Sequence, residues 1–245
     1  LDLYASDWSW SPLIFDMDND GFPDIHITNG IEKRPNDLDF IQYSQQAEPS
    51  LKMSELRQKQ IAMLPTVKLP NLSYQNQGEL TFIDQATTWG LDQPSYSNGS
   101  TYADLDNDGD LDLIINNLNQ PAFIYQNHTE RSGNAFLRVN LSANGENTFA
   151  MGAKVGIYYA GKSLFQQYSG SRGFMSGTSS TLVYGLGKAT EIDSISVVWP
   201  NGANEIYLND SINHSIKLTQ GTGKPYTKAN ISSDKTASFP QIPWA

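Results

Sequence analysis

A mainly β protein is predicted by three observations. Short apolar runs recur along the whole chain, each bounded by Asn, Gly, Asp or Ser. A nine-residue acidic pattern occurs twice, and both copies lead straight into a strand-like segment. Helical character is confined to one stretch, residues 31–70. Spacing of this kind suggests a sandwich or propeller-type architecture.

In chain order, "PLIF" (12–15) leads into the first acidic pattern, "DMDNDGFPD" (16–24), and "DIHIT" (24–28) follows it. Within residues 31–70, Leu51, Leu56, Ile61 and Leu64 are read as one apolar helical face that packs on a sheet, with Ser50 as N-cap and Pro65 as the stop. "LTFID" (80–84) returns to strand character. The second acidic pattern, "DLDNDGDLD" (104–112), then runs into "DLIIN" and "AFIYQN". From residue 136 the strand-like runs are "FLRVNL", "AKVGIYY", "SLFQQY", "TLVYGLG", "SISVVWP" and "HSIKL", with Trp199 placed in a core. Residues 221–245 are polar with scattered Pro and read as a linker or extended tail.

The acidic patterns carry the clearest chemistry. Carboxylates at alternate positions 1, 3 and 5 of a tight loop converge on one point, and Gly at position 6 permits the sharp turn. Position 7 adds a backbone carbonyl and position 9 another carboxylate. The predicted ligand sets are Asp16, Asp18, Asp20, the Phe22 carbonyl and Asp24, then Asp104, Asp106, Asp108, the Asp110 carbonyl and Asp112. All donors are oxygen, which suits Ca2+; Mg2+ prefers a regular octahedron with retained waters. Position 12 is Ile27 in one and Ile115 in the other, where an EF-hand needs a bidentate Glu between two helices, so these are short loops between strands. A solvated Asp-Gly turn is the simpler alternative, and the repetition of the pattern weighs against it.

These residues resemble the calcium loops of FG-GAP/VCBS repeats, the blades of integrin-type propellers. "YQNQGELTFIDQATTWGL" (74–91) looks like that family's segment ahead of the next blade, and "AFIYQN" like the strand that closes one. Residues 136–207 are similar to the ASPIC/UnbV domain through "GAKV" (152–155), "SRGFMSG" (171–177), "YGLG" (184–187) and "VVWPNG" (197–202). Repeats followed by this domain resemble the cartilage acidic protein family and its bacterial relatives. The resemblance implies partial β-propeller blades over residues 1–130 with a helical insert at about 31–70, and a β-sandwich-like domain over 134–220. A propeller of this type has about seven blades, so the remaining blades are expected in a longer protein, of which this chain reads as a fragment or processed form.

Composition narrows the function. The net charge is −10, from 26 acidic and 16 basic residues, and no basic run occurs, so no nucleic-acid partner is expected. No apolar run approaches the roughly 20 residues of a membrane helix, so no membrane insertion is expected. Cysteine is absent, which excludes disulfides and thiolate metal sites. The three histidines, His26, His128 and His214, have no second histidine at ligand spacing and are read as structural; nucleophile-elbow and phosphate-loop motifs are missing. Trp8, Trp10, Trp89, Tyr96 and Tyr102 are candidates for stacking on a sugar, although core packing is the commoner role. Seven Asn-x-Ser/Thr sequons, at Asn71, Asn98, Asn127, Asn140, Asn209, Asn213 and Asn230, are not taken as glycosylated. The expectation is a calcium-stabilised, non-catalytic binding or adhesion module for a protein or glycan, exported to the cell surface, periplasm or medium. The alternative is an accessory region of an exported carbohydrate-active or other enzyme.

Overall fold

The computed structural model describes residue 3 and residues 6–35, 37–44 and 52–226. These residues form four β-sheets and few helices. β1 (Ser9–Phe15) and β2 (Asp24–Asn29) pair antiparallel with Phe15 opposite Asp24, so the first acidic loop is the turn of a hairpin. β3 (Leu72–Asn76) and β4 (Phe82–Asp84) complete an antiparallel sheet in the order β1-β2-β3-β4. β5 (Ser97–Ala103), β6 (Asp112–Asn117) and β7 (Phe123–Tyr125) form a second meander. There Ala103 lies opposite Asp112, the same register around the second acidic loop.

The second half has two sheets. β10 (Lys162–Gln167), β9 (Lys154–Tyr159), β12 (Ile192–Val198), β13 (Asn204–Asp210) and β15 (Lys224–Pro225) form one in that order. β11 (Leu182–Gly187), β8 (Ala135–Ser142) and β14 (His214–Thr219) form the other, with β14 parallel to β8. Both sheets bury side chains in one core. β8 alternates strictly and sends in Leu137 and Val139; β9 adds Val155 and Ile157, β12 adds Ile195 and Val197, and Trp199 closes it. A smaller core of Leu13, Phe15, Leu111, Leu113 and Ile115 lies in the first half, and Val183 of β11 belongs to it. The two halves therefore share apolar packing.

Three expectations change. β3, β5 and β13 were not among the segments read as strands. β5, "SNGSTYA", is polar because its neighbours are polar: Ser100 donates to the Ser11 hydroxyl at 2.9 Å, and the Ser11 N–H donates to the Thr28 hydroxyl oxygen at 2.9 Å. The insert contains two helices, α1 (Leu38–Ser44) and α2 (Met53–Met63), but α2 does not pack by a buried face: Ile61 is exposed and Leu56 only half-buried. A five-residue step, as from 56 to 61, rotates about 140° around a helix, so the expected stripe was not one face. Lys52 occupies the N-cap position, and Ser50 and Leu51 lie outside the described residues, as do 227–245 of the expected tail. The start of that tail is tied down, since the Glu205 carboxylate accepts N–H groups of Gly221 (2.7 Å) and Gly223 (3.0 Å) and β15 pairs with β13.

Candidate metal centres

Both acidic loops follow the same backbone path. Asn19 and Gly21 have positive φ (55° and 93°), and so do Asn107 and Gly109 (69° and 98°). Gly tolerates this conformation freely and Asn better than most residues, which explains the shared "DND-G" core of the two patterns. The ninth-position carboxylates are the braces. Asp24 accepts the N–H of Met17 (2.9 Å) on one oxygen and that of Asn76 (2.8 Å) on the other. Asp112 does the same with Leu105 (2.8 Å) and Asn127 (2.8 Å). Both are buried.

The first-position carboxylates face the loop amides: Gly21 N–H donates to Asp16 at 2.9 Å and Gly109 N–H to Asp104 at 3.2 Å. The third-position carboxylates are each held by an amide side chain, Gln75 on Asp18 at 2.5 Å and Gln126 on Asp106 at 2.7 Å. Carboxylate oxygens of Asp16, Asp18 and Asp24 lie within 4.8 Å of one another, as do those of Asp104, Asp106 and Asp108. Oxygens so spaced can share one ion at the ~2.3–2.6 Å typical of calcium. Asp108 and Asp110 form a further such group with Glu130.

The residues fit a hard cation on two grounds. Asp104 Oδ1 and Asp110 Oδ1 are buried with no hydrogen-bond partner, so each keeps lone pairs that an ion can take up. The carboxyls are also crowded: burial, with Asp20, Asp18 and Asp24 nearby, pushes Asp16 up to about 8 despite the Gly21 N–H. Burial likewise moves Asp24 to about 7, Asp20 to about 6 and Asp110 to about 7. A bound cation favours the ionised forms and reverses these shifts.

The expected ligand sets are thus only partly assembled. Asp20 is absent from the first cluster, and its Oδ1 accepts the Phe22 N–H at 2.7 Å. Asp112 is absent from the second cluster, although it accepts the same pair of N–H groups as Asp24, which belongs to the first. Asp110, expected to contribute its carbonyl, brings its side chain beside Asp108 and Glu130. Gln75, Gln126 and Glu130 were missed. For the glutamines a signal existed: both stand in a "YQN" triplet, 74–76 and 125–127, whose Asn N–H reaches the bracing aspartate.

The second half of the chain rests on both loops. Gly187 N–H donates to the Asn19 carbonyl (2.9 Å), and a Cβ on Gly185 would sit 2.0 Å from Asp16 Oδ2 and 2.4 Å from Asn19 Cα, so only Gly fits there. Arg138 of β8 forms an ion pair with Asp104 at 3.1 Å and donates to the Asn107 carbonyl at 3.0 Å and side chain at 2.6 Å. Asn19 links the loops by donating to the Gly109 carbonyl at 3.1 Å. "SRGFMSG" docks beside β1: Phe174 N–H donates to the Ser11 hydroxyl (3.1 Å), and its ring lies 4.8 Å from that of Trp10.

Of the remaining sequence candidates, all but the exposed His128 are buried or half-buried. His26 is fully buried, faces Ser73 at 2.9 Å, and is held down at about 3 by burial. His128 and His214 lie 3.6 and 3.3 Å from Glu130 and Asp210. Trp10 donates to the Gly30 carbonyl at 2.8 Å, Tyr96 is buried, and Tyr102 stacks on Phe15 at 4.3 Å; Trp8 and Trp89 are half-buried. No helix among the described residues is long and apolar enough to cross a membrane.

Residues 143–225 match the family model described as ASPIC and UnbV. A stretch of 57 residues is 39% identical to cartilage acidic protein 1 of Mus musculus and 37% identical to that of Homo sapiens. The match spans 23% of this chain and 9% of either relative, so most of the length of those relatives has no counterpart in it.

Proposed function

We propose that this chain is a calcium-stabilised, non-catalytic binding module of an exported protein, whose first half is a pair of FG-GAP/VCBS-type propeller blades and whose second half is the ASPIC/UnbV-like domain that caps them. The observation that carries this reading is the repeated loop framework. Two hairpins 88 positions apart reproduce the same positive-φ pair, the same bracing aspartate and the same glutamine on the third-position carboxylate. Such duplication is what a repeated cation site requires, and it has no use in a mere solvated turn. Asp16, Asp18 and Asp24 hold the first Ca2+, and Asp104, Asp106 and Asp108 the second.

Extracellular calcium modules typically bind at roughly 10⁻⁴–10⁻³ M, which favours the cell surface, periplasm or medium over a low-calcium compartment. The ligand is a protein or a glycan, in an adhesion or recognition role. Calorimetric titration with CaCl2 tests the reading: two sites are expected, and Asp108→Ala should remove the second alone. Identical melting in EDTA and in millimolar calcium would refute it. The second reading, an accessory region of an exported carbohydrate-active or other enzyme, draws on the cavity between the two halves; turnover of a glycan substrate by the purified chain would favour it.

A further inference from the structure

A cavity of about 650 Å3 lies where the two halves meet, walled by Phe15, Asp16 and Tyr102 on one side and by β10, β11 and the segment around Arg172 on the other. That volume is within the usual ~300–1,000 Å3 of small-molecule sites, which favour domain junctions. Tyr102, half-buried, borders the cavity with its ring stacked on that of the buried Phe15, the planes 19° apart. Ser163, Gln166, Thr178 and Ser179 add hydroxyl and amide groups.

Arg172 is the distinctive element. It belongs to "SRGFMSG", is half-buried, and spends one N–H on the Gln167 carbonyl at 2.7 Å. No described carboxylate pairs with it, in a chain that carries 26 acidic residues. Asp16 shares the cavity wall, but both of its oxygens accept N–H groups of its own loop, from Asp20 and Gly21. A guanidinium offers a planar fork of donors that matches a carboxylate. An aromatic ring at the wall together with hydroxyl and amide groups suits a hydroxylated ring.

We propose that this cavity binds an acidic saccharide of the uronic-acid class, with Arg172 holding the carboxylate and the sugar ring lying against Tyr102. This deepens the binding-module reading and rests on it for the glycan class.

The test is calorimetry of the full chain in millimolar calcium with digalacturonate, and with galactose as the neutral probe. Digalacturonate should bind saturably and galactose at least roughly tenfold more weakly, as expected for a charge-assisted contact. Arg172→Gln should weaken digalacturonate by roughly 10- to 100-fold, while Arg172→Lys retains part of the affinity. Ser163→Trp, at an exposed position of β10, should block binding without touching Arg172. Equal affinity for galactose, an unchanged Arg172→Gln variant or no saturable uronate binding overturns the proposal. Calcium titration of the same samples separates the two readings: calcium binding without uronate binding removes only this inference, and uronate binding without calcium binding removes only the calcium sites.

Discussion

In the first acidic loop, Asp16 lies against the bare backbone of Gly185, whereas in the second, Asp104 lies against the guanidinium of Arg138. The loops themselves are near copies, with one turn geometry and one bracing pattern. Their electrostatics differ because of what packs on them. Neutral backbone strips water from Asp16 without supplying charge, so its carboxyl rises to about 8. In the second loop burial still raises Asp104, but Arg138 opposes the rise, and Gln126 holds Asp106 below its ordinary range. A repeated motif thus becomes two unlike sites through non-repeated neighbours.

The largest expected effect tests the shared part. Asp24→Ala and Asp112→Ala each remove a buried carboxylate that accepts two backbone N–H groups. Each should cost about 3–5 kcal/mol by denaturant unfolding. A large inequality between the two would show that the frameworks are not equivalent.

Calcium removal comes next. A ligand bound only to the folded state adds about 2.7 kcal/mol at a hundredfold excess over Kd, per site. The pH dependence sharpens this. Asp16, Asp20 and Asp24 have folded values above the ordinary 3.8, so the cation-free fold holds more protons than the unfolded chain between about pH 4 and 8. Stability in EDTA should therefore fall as pH rises through that window, and excess calcium should flatten the fall, because the ion prefers the deprotonated carboxylates. Thermal melts at pH 5 and pH 8, with and without calcium, read both effects; a stability in EDTA that rises with pH would contradict the assignment.

Gly185→Ala separates the loops. Its Cβ meets Asp16 and the Asn19 backbone, so a loss of about 1–3 kcal/mol is expected, with weaker calcium binding at the first site and none of that at the second. Arg138→Gln is the converse and smallest change. It removes the resident positive charge beside Asp104 and should destabilise the cation-free fold by about 1 kcal/mol, while strengthening calcium binding at the second site several-fold. A calorimetric titration that leaves the second-site affinity unchanged would deny Arg138 that role.

Much of the loop chemistry could be read in one dimension, because it depends on neighbours in the chain. Asp at alternating positions, Gly at the sixth and the strand beyond it are local demands of a tight turn, and Asn19 and Asn107 in the left-handed region belong to the same local logic. Most strands of the second half, β13 excepted, were legible for a similar reason: one-face burial imposes alternation, as in β8. β5 was not, since its Ser and Gly residues answer to Ser11 and to the Phe174 carbonyl, which would stand 2.9 Å from a Cβ on Gly99. The helices of the insert lie where expected, but their predicted packing face failed for the opposite reason, a spacing taken for a face that the 3.6-residue turn does not produce.

Residue types and turn geometry were sufficient to place two clusters of oxygen donors at the ends of two hairpins. Which oxygens converge, which are taken up by backbone N–H groups, and which loop meets Arg138 rather than Gly185 depended on contacts between residues far apart in the chain, such as Asn19 with Gly187 and Arg138 with Asn107. Those contacts accompany the packing of Val183 of β11 into one cluster with Leu13, Phe15 and Leu113. Apolar packing of that kind is not directional, so the sequence pattern that drives it does not say which partner it will bring to the loops.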